Sequence, residues 1–168
     1  VENGNLSWRP KIGVLVDDLS ASHLSWAIIN SVNSLVSKGS VDVSIFYDNL
    51  VRPCSNVEAA LLPSVHIIGF DGILVATSLN TASKLIRLPS NGRKFFYCWD
   101  LEWQRMSQQD KNYGSLINIY RNSSYGLIAR TVEHARILSQ TWNRPVINVV
   151  EEADIEAILR IGLENESS

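Results

Sequence analysis

The sequence predicts an α/β protein with a mostly parallel sheet of six or seven strands flanked by helices. Three observations lead there. Short runs of β-branched and aromatic residues alternate with segments of helical apolar spacing, the pattern of successive βα units. At 168 residues, 45% hydrophobic and 19% charged, the chain is long enough for one well-buried core and short for two. No internal repeat or low-complexity linker marks a boundary, so residues 1–168 are expected to form a single domain with flexible tails at 1–10 and 164–168.

The elements follow in order. Residues 11–16 (KIGVLV) are an apolar first strand. A helix over about 22–37 follows a short acidic loop, because Leu24, Ala27, Ile28, Val32, Leu35 and Val36 recur at helical spacing, and Lys38-Gly39 supplies its C-cap. Residues 41–47 form the second strand. Residues 48–56, with Pro53 and Cys54, read as a long loop, and a short helix near 57–62 is stopped by Pro63. The run 64–68 carries a strand signal, 69–72 (GFDG) a turn, and 73–76 a central strand ending at Thr77-Ser78. Residues 80–86 are helical, with Asn80 or Thr81 near the cap, and 89–92 (PSNG) form a turn. Strand 94–99 comes next. Residues 102–120 are mainly polar and helical in two pieces, broken around 112–114. Strand 125–129, helix 132–142, strand 145–150 and helix 154–163 complete the chain.

Charge and cysteine usage narrow the function classes. The formal net charge is -2 with no lysine or arginine stripe, which argues against a nucleic-acid backbone as ligand. Cys54 and Cys98 lie far apart without CxxC or Cys/His spacing, so free thiols in a reducing, cytoplasmic compartment are expected, with a place in a larger particle as the alternative. No apolar run approaches the ~20 residues that span a bilayer, and VENGNLSWRP has no signal-like apolar segment. Metal-ligand spacing, a GxSxG elbow and a P-loop are all absent, so neither metal nor cofactor is expected.

The stretch 94–105, KFFYCWDLEWQR, carries most of the functional signal. Where its strand meets solvent it delivers Trp99, Asp100, Glu102 and Trp103 within five residues. Ligands of open α/β sheets bind beyond the carboxyl ends of the strands, so two acids between two indoles there form a candidate site. Tryptophan faces stack on sugar rings, though core or interface packing is their commoner use. Paired carboxylates do acid/base work where their environments split their pKa values. Asp17 and Asp18 end the first strand, placed to orient an acceptor hydroxyl or act as base, or simply to cap the helix. His23, in that helix's first turn, is either a general base or a partner of local polar groups. Arg130, after strand 125–129 and followed by His134 and Arg136, is a candidate for an anionic group, with exposed helix polarity as the plainer reading.

Four segments, KIGVLVDDLSASHLSWAIINSVNSL, FDGILVATSLNTASKL, KFFYCWDLEW and YGLIARTVEHARILSQTWNRPVINVVEEAD, resemble the N-terminal, acceptor-side Rossmann-like half of GT-B glycosyltransferases, especially retaining enzymes that build surface polysaccharides. The resemblance implies a nucleotide-sugar donor, with acceptor orientation by Asp17 and Asp18 and sugar or acceptor contact by Trp99, Asp100, Glu102 and Trp103; Asp17, Asp18 and Asp100 are the catalytic candidates, His23 is a further substrate-binding one, and Arg130 is a lesser candidate for an anionic group. It also implies that a partner protein or dimer mate supplies the donor-binding half, since the chain ends about where that half would begin. The first loop departs from the family: Asp17-Asp18-Leu19-Ser20-Ala21-Ser22 has no glycine for close approach of a pyrophosphate, and its two aspartates repel phosphate. Glycosyl transfer, glycan binding without catalysis, and a structural role in a larger assembly such as a virion are therefore the three functions to separate.

Overall fold

The computed structural model describes residues 9–89, 93–107, 109–110 and 113–164. Its first strand, β1 (Lys11–Val16), is buried from Ile12 onward on both faces, as its unbroken apolar run requires of a central parallel strand. Helix α1 (His23–Ser37) starts where Ser22 accepts the backbone N–H of Ser25 at 3.0 Å. It stops at Lys38, with Gly39 left-handed at φ +65° and its N–H on the Val36 carbonyl. The remaining elements are β2 (Asp42–Tyr47), β3 (Ala60–Pro63), β4 (Ile73–Ala76), α2 (Leu79–Arg87), β5 (Lys94–Cys98), α3 (Ser115–Tyr120), β6 (Gly126–Ala129), α4 (Val132–Trp142), β7 (Asn148–Val149) and α5 (Ile155–Glu164).

The strands form one sheet in the order β3-β2-β1-β4-β5-β6-β7. Every neighbouring pair is parallel, with Val14 facing Ile45 on one side and Val75 on the other. The fold is thus α/β and Rossmann-like. Side-chain alternation divides the core between the two faces. Ile12, Val14, Val75 and Tyr97 pack with α1 and α5, while Leu15, Leu74, Phe96 and Leu127 pack with α2, α3 and α4. From β1 the chain builds outward through β2 and β3, then returns to place β4 on the other side of β1. That reversal opens a crevice at the carboxyl ends of β1 and β4.

Three segments differ from expectation. Residues 57–62 are not helical: 57–59 are irregular, and from Ala60 the chain pairs as β3 along β2, from Ser44 opposite Ala60 to Tyr47 opposite Pro63. The Asn33 side chain of α1 holds it that way, donating to the Asn56 carbonyl and accepting from the Glu58 N–H, both at 2.9 Å. The apolar run 64–68 is no strand but a 3-10 turn, Ser64–Ile67. Pairing with β2 ends at Pro63, so those residues begin the return across the sheet. Among the described residues of 102–120, helical structure is confined to a 3-10 turn, Glu102–Arg105, and the six-residue α3. The expected tails at 1–8 and 165–168, the turn residues 90–92 and the break at 112 lie outside the described residues.

A Cβ added at Gly72 would sit 2.4 Å from the Lys11 carbonyl oxygen, where β4 enters the sheet beside β1. Backbone cannot yield as a side chain can. Gly72→Ala is expected to cost about 1–3 kcal/mol in urea unfolding; a loss under about 0.5 kcal/mol, the range of ordinary surface changes, would mean that the two strands are not so closely apposed.

Candidate functional site

Two helix starts frame the crevice. Ser22 caps α1, and Ser78 caps α2 by accepting the Thr81 N–H at 3.1 Å, while the Thr81 hydroxyl oxygen accepts the Ser78 N–H at 3.0 Å. Thr77 donates its hydroxyl proton to the Leu15 carbonyl at 2.7 Å and so ties the end of β4 to β1. Between these ends lies a cleft of about 250 Å³ lined by the polar Asp17, Asp18, Ser20, Ser22, Ser25, Thr77 and Ser78 and the apolar Val16, Leu24 and Ile28.

The cleft acids are held in different ways. Asp17 Oδ1 accepts the Asn80 side-chain amide at 2.7 Å, and the same Nδ2 donates to Asp48 Oδ2 at 2.8 Å. Asp48, at the end of β2, also pairs with Lys84. Burial pushes the Asp48 carboxyl up, but Lys84, Ser64 and Asn80 outweigh it and hold the group below its ordinary value. Asp18 accepts the N–H and hydroxyl of Ser20, a local turn that also presents it to the cleft.

The Asp100 and Glu102 carboxyls part company at Leu101. Asp100 accepts the Leu101 N–H at 2.7 Å and pairs with Arg105. Glu102 reaches the first residue of α2 instead, where its oxygens accept the Leu79 N–H at 3.1 and 3.4 Å. Burial is the chief cause that raises the Glu102 carboxyl to about 7; Asp17 and Asp100 push the same way, while the Leu79 N–H and Arg105 oppose them. An acid poised near neutrality beside ionisable neighbours is suited to proton exchange.

A second cluster sits at the ends of β5, β6 and β7. The Arg130 guanidinium lies 3.8 Å from the Trp99 ring centroid, and the His23 ring meets the indole edge-on at 5.2 Å. Glu152 joins both, 3.2 Å from His23 Nε2 and 3.2 Å from Arg130. One face of Trp99 is therefore already covered. Trp103 is turned inward, 8% exposed, against Tyr120 and Trp142 at centroid distances of 4.9 and 5.5 Å.

Of the residues singled out from sequence, the fold thus gathers Asp17 and Asp18 in the cleft and brings the Glu102 carboxyl to the start of α2. It groups His23, Trp99 and Arg130 apart from them and sends Trp103 into the core. Asn80, Asp48, Lys84 and Glu152 were not among the site residues. Asp48 had a legible signal, an acid ending a strand just as Asp17 does; the reach of Asn80 across to two other strands had none.

Among the described residues no group of three or more His, Cys, Asp or Glu side chains is placed to hold a metal ion, and no helix is long and apolar enough to cross a membrane. Comparison with protein-family models, curated proteins and solved structures gives no match.

The raised Glu102 carboxyl has a consequence for stability. A folded-state value near 7 against an ordinary 4.5 favours the fold while Glu102 is protonated, and that contribution is lost as pH rises through 7. Glu102→Gln keeps an acceptor for Leu79 and removes the titration. It is expected to be more stable than wild type at pH 8, by on the order of 2–3 kcal/mol, with little difference at pH 4.5. Urea melts at the two pH values check this, and an equal difference at both would place Glu102 in a solvated setting.

Proposed function

We propose that the crevice between β1 and β4 binds a neutral sugar, the acceptor in a glycosyl-transfer reaction whose nucleotide-sugar donor is held by a partner domain or subunit. One observation carries this reading: the polar lining of the cleft is carboxylates and hydroxyls, beside the apolar Val16, Leu24 and Ile28. Carboxylates accept from sugar hydroxyls strongly, and serine and threonine hydroxyls act as donor or acceptor as a polyol requires. Phosphate is the opposite kind of ligand. Asp17 and Asp18 would repel it, and Arg130 is already engaged with Glu152 and Trp99. This favours acceptor over donor, which agrees with the resemblance to the acceptor-side half of a GT-B glycosyltransferase.

In this reading Asp17 orients the acceptor hydroxyl or takes its proton, Asp18 with Ser20 and Ser22 borders the ring, and Glu102, beside the first residue of α2, exchanges protons with the site. Asp100 sets the field around Glu102, and His23, Trp99 and Arg130 form a neighbouring wall. Trp103 supports the site from the core. Without a donor-holding partner the same residues bind glycan and do not turn it over.

The test is thermal stability against neutral glycosides, nucleotide sugars and free nucleotides. A ligand at ~100 times its dissociation constant adds ~2.7 kcal/mol to the native state. A selective rise with a neutral glycoside, lost in Asp17→Asn while that variant still melts cooperatively, is the expected result. A rise only with nucleotides, or none with any ligand, overturns the acceptor reading.

A further inference from the structure

We infer that Asn80 is a positioning residue that sets the spacing of the cleft acid Asp17 and the neighbouring Glu102, through the first turn of α2; its consequence for ligand binding rests on the sugar-acceptor reading above. Consecutive residues of one helix meet the two acids. The Leu79 backbone N–H binds Glu102, and the Asn80 side-chain amide binds Asp17. Both belong to a turn fixed by the reciprocal Ser78–Thr81 cap, whose two residues are buried. The distance between the acids is therefore written into two adjacent positions of a rigid element.

The chemistry requires an amide at residue 80. Its nitrogen carries two protons, and each meets a carboxylate, Asp17 at 2.7 Å and Asp48 at 2.8 Å. Both neighbours are acceptors, which fixes the nitrogen rather than the oxygen on that side. Asp48 cannot drift with it, because Lys84, one helical turn beyond Asn80, pairs with its other oxygen. An aspartate at position 80 would bring a third carboxylate to the same point, and an alanine would leave Asp17 without its side-chain donor. With Oδ1 of Asp17 occupied by Asn80, Oδ2 is the oxygen left to a ligand hydroxyl.

The groups that act on Glu102 make the role measurable. Asp17 comes from β1, Asp100 from the end of β5, Arg105 from the 3-10 turn and the Leu79 N–H from α2, with Tyr120 and Cys98 on the buried side. Moving Asp17 changes one of these charges and leaves the rest in place.

The experiment follows the carboxyl carbon of Glu102 by NMR across pH in the ligand-free protein. Asn80→Ala frees Asp17 to swing into solvent, and the Glu102 midpoint is expected to fall by about half a unit, a threefold change in proton affinity. Asn80→Asp, a second variant of near-identical shape, is expected to raise it. Midpoints unchanged in both variants, with cooperative unfolding retained, would overturn the positioning role. Methyl glycosides that stabilise the wild-type protein serve as probes of the second arm, where Asn80→Ala is expected to bind about tenfold more weakly, a difference of about 1.4 kcal/mol; equal binding would count against the role. A wild-type protein that binds no glycoside refutes the sugar reading alone, and the Glu102 midpoint still decides the role of Asn80.

Discussion

The constraint on which the rest of the structure depends is the placement of β1 between two parallel neighbours that lead the chain in opposite directions. Its residues beyond Lys11 are buried by α1 and α5 on one face and by side chains packed with α2 on the other. Such a strand has no polar side of its own, so polar residues collect where it ends. There β1 passes to a helix on one face and β4 to a helix on the other, and the backbones diverge. A cleft at that point follows from topology, before any side chain is chosen. The side chains then decide what the cleft holds, and here they are acids and hydroxyls where many sheets of this kind carry glycine.

Acids gathered in and around a partly buried cleft would destabilise the fold unless each found a distinct partner. The fold solves this by treating them unequally. Asp48 receives a lysine, Asp17 receives an uncharged amide, Asp18 turns on Ser20, Asp100 takes Arg105, and Glu102 receives one backbone N–H. For Glu102 that single donor does not balance burial, and the carboxyl is raised to about 7.

Legibility in the sequence followed the same division between local and long-range causes. β1, β4, β6 and α4 were readable because their burial is continuous or periodic and their ends carry turn residues. The segment 57–62 misled because Glu58, Ala59, Ala60, Leu61 and Leu62 suit a helix, and the open edge of β2, which pairs from Ala60 onward, and the Asn33 clasp at Asn56 and Glu58 hold them out of one. The site shows the same limit. Acids at strand ends are visible in a sequence, so Asp17, Asp18, Asp100 and Glu102 stood out. Which of them share a space depends on Asn80, 63 residues beyond Asp17, and on a bend at Leu101. Trp103 stood beside Glu102 in the sequence yet lies in the core, because a 3-10 turn sends adjacent side chains in different directions.

The second charged cluster shows how much structure is spent on keeping residues out of the cleft. Glu152 and Ala153 are both left-handed, at φ 49° and 51°, a conformation costing roughly 1–2 kcal/mol per non-glycine residue. The buried Tyr97 hydroxyl holds this bend by donating to the Val150 carbonyl at 2.8 Å and accepting the Ala153 N–H at 3.1 Å. The bend delivers the Glu152 carboxylate between His23 and Arg130, over the edge of Trp99. Without it, Arg130 would stand as an uncompensated cation at the carboxyl edge of the sheet. With it, the cation is paired and stacked, and the field over the neighbouring crevice is set by Asp17, Asp18, Asp100 and Glu102. A strained turn 22 residues beyond Arg130 thereby supplies the carboxylate that pairs it.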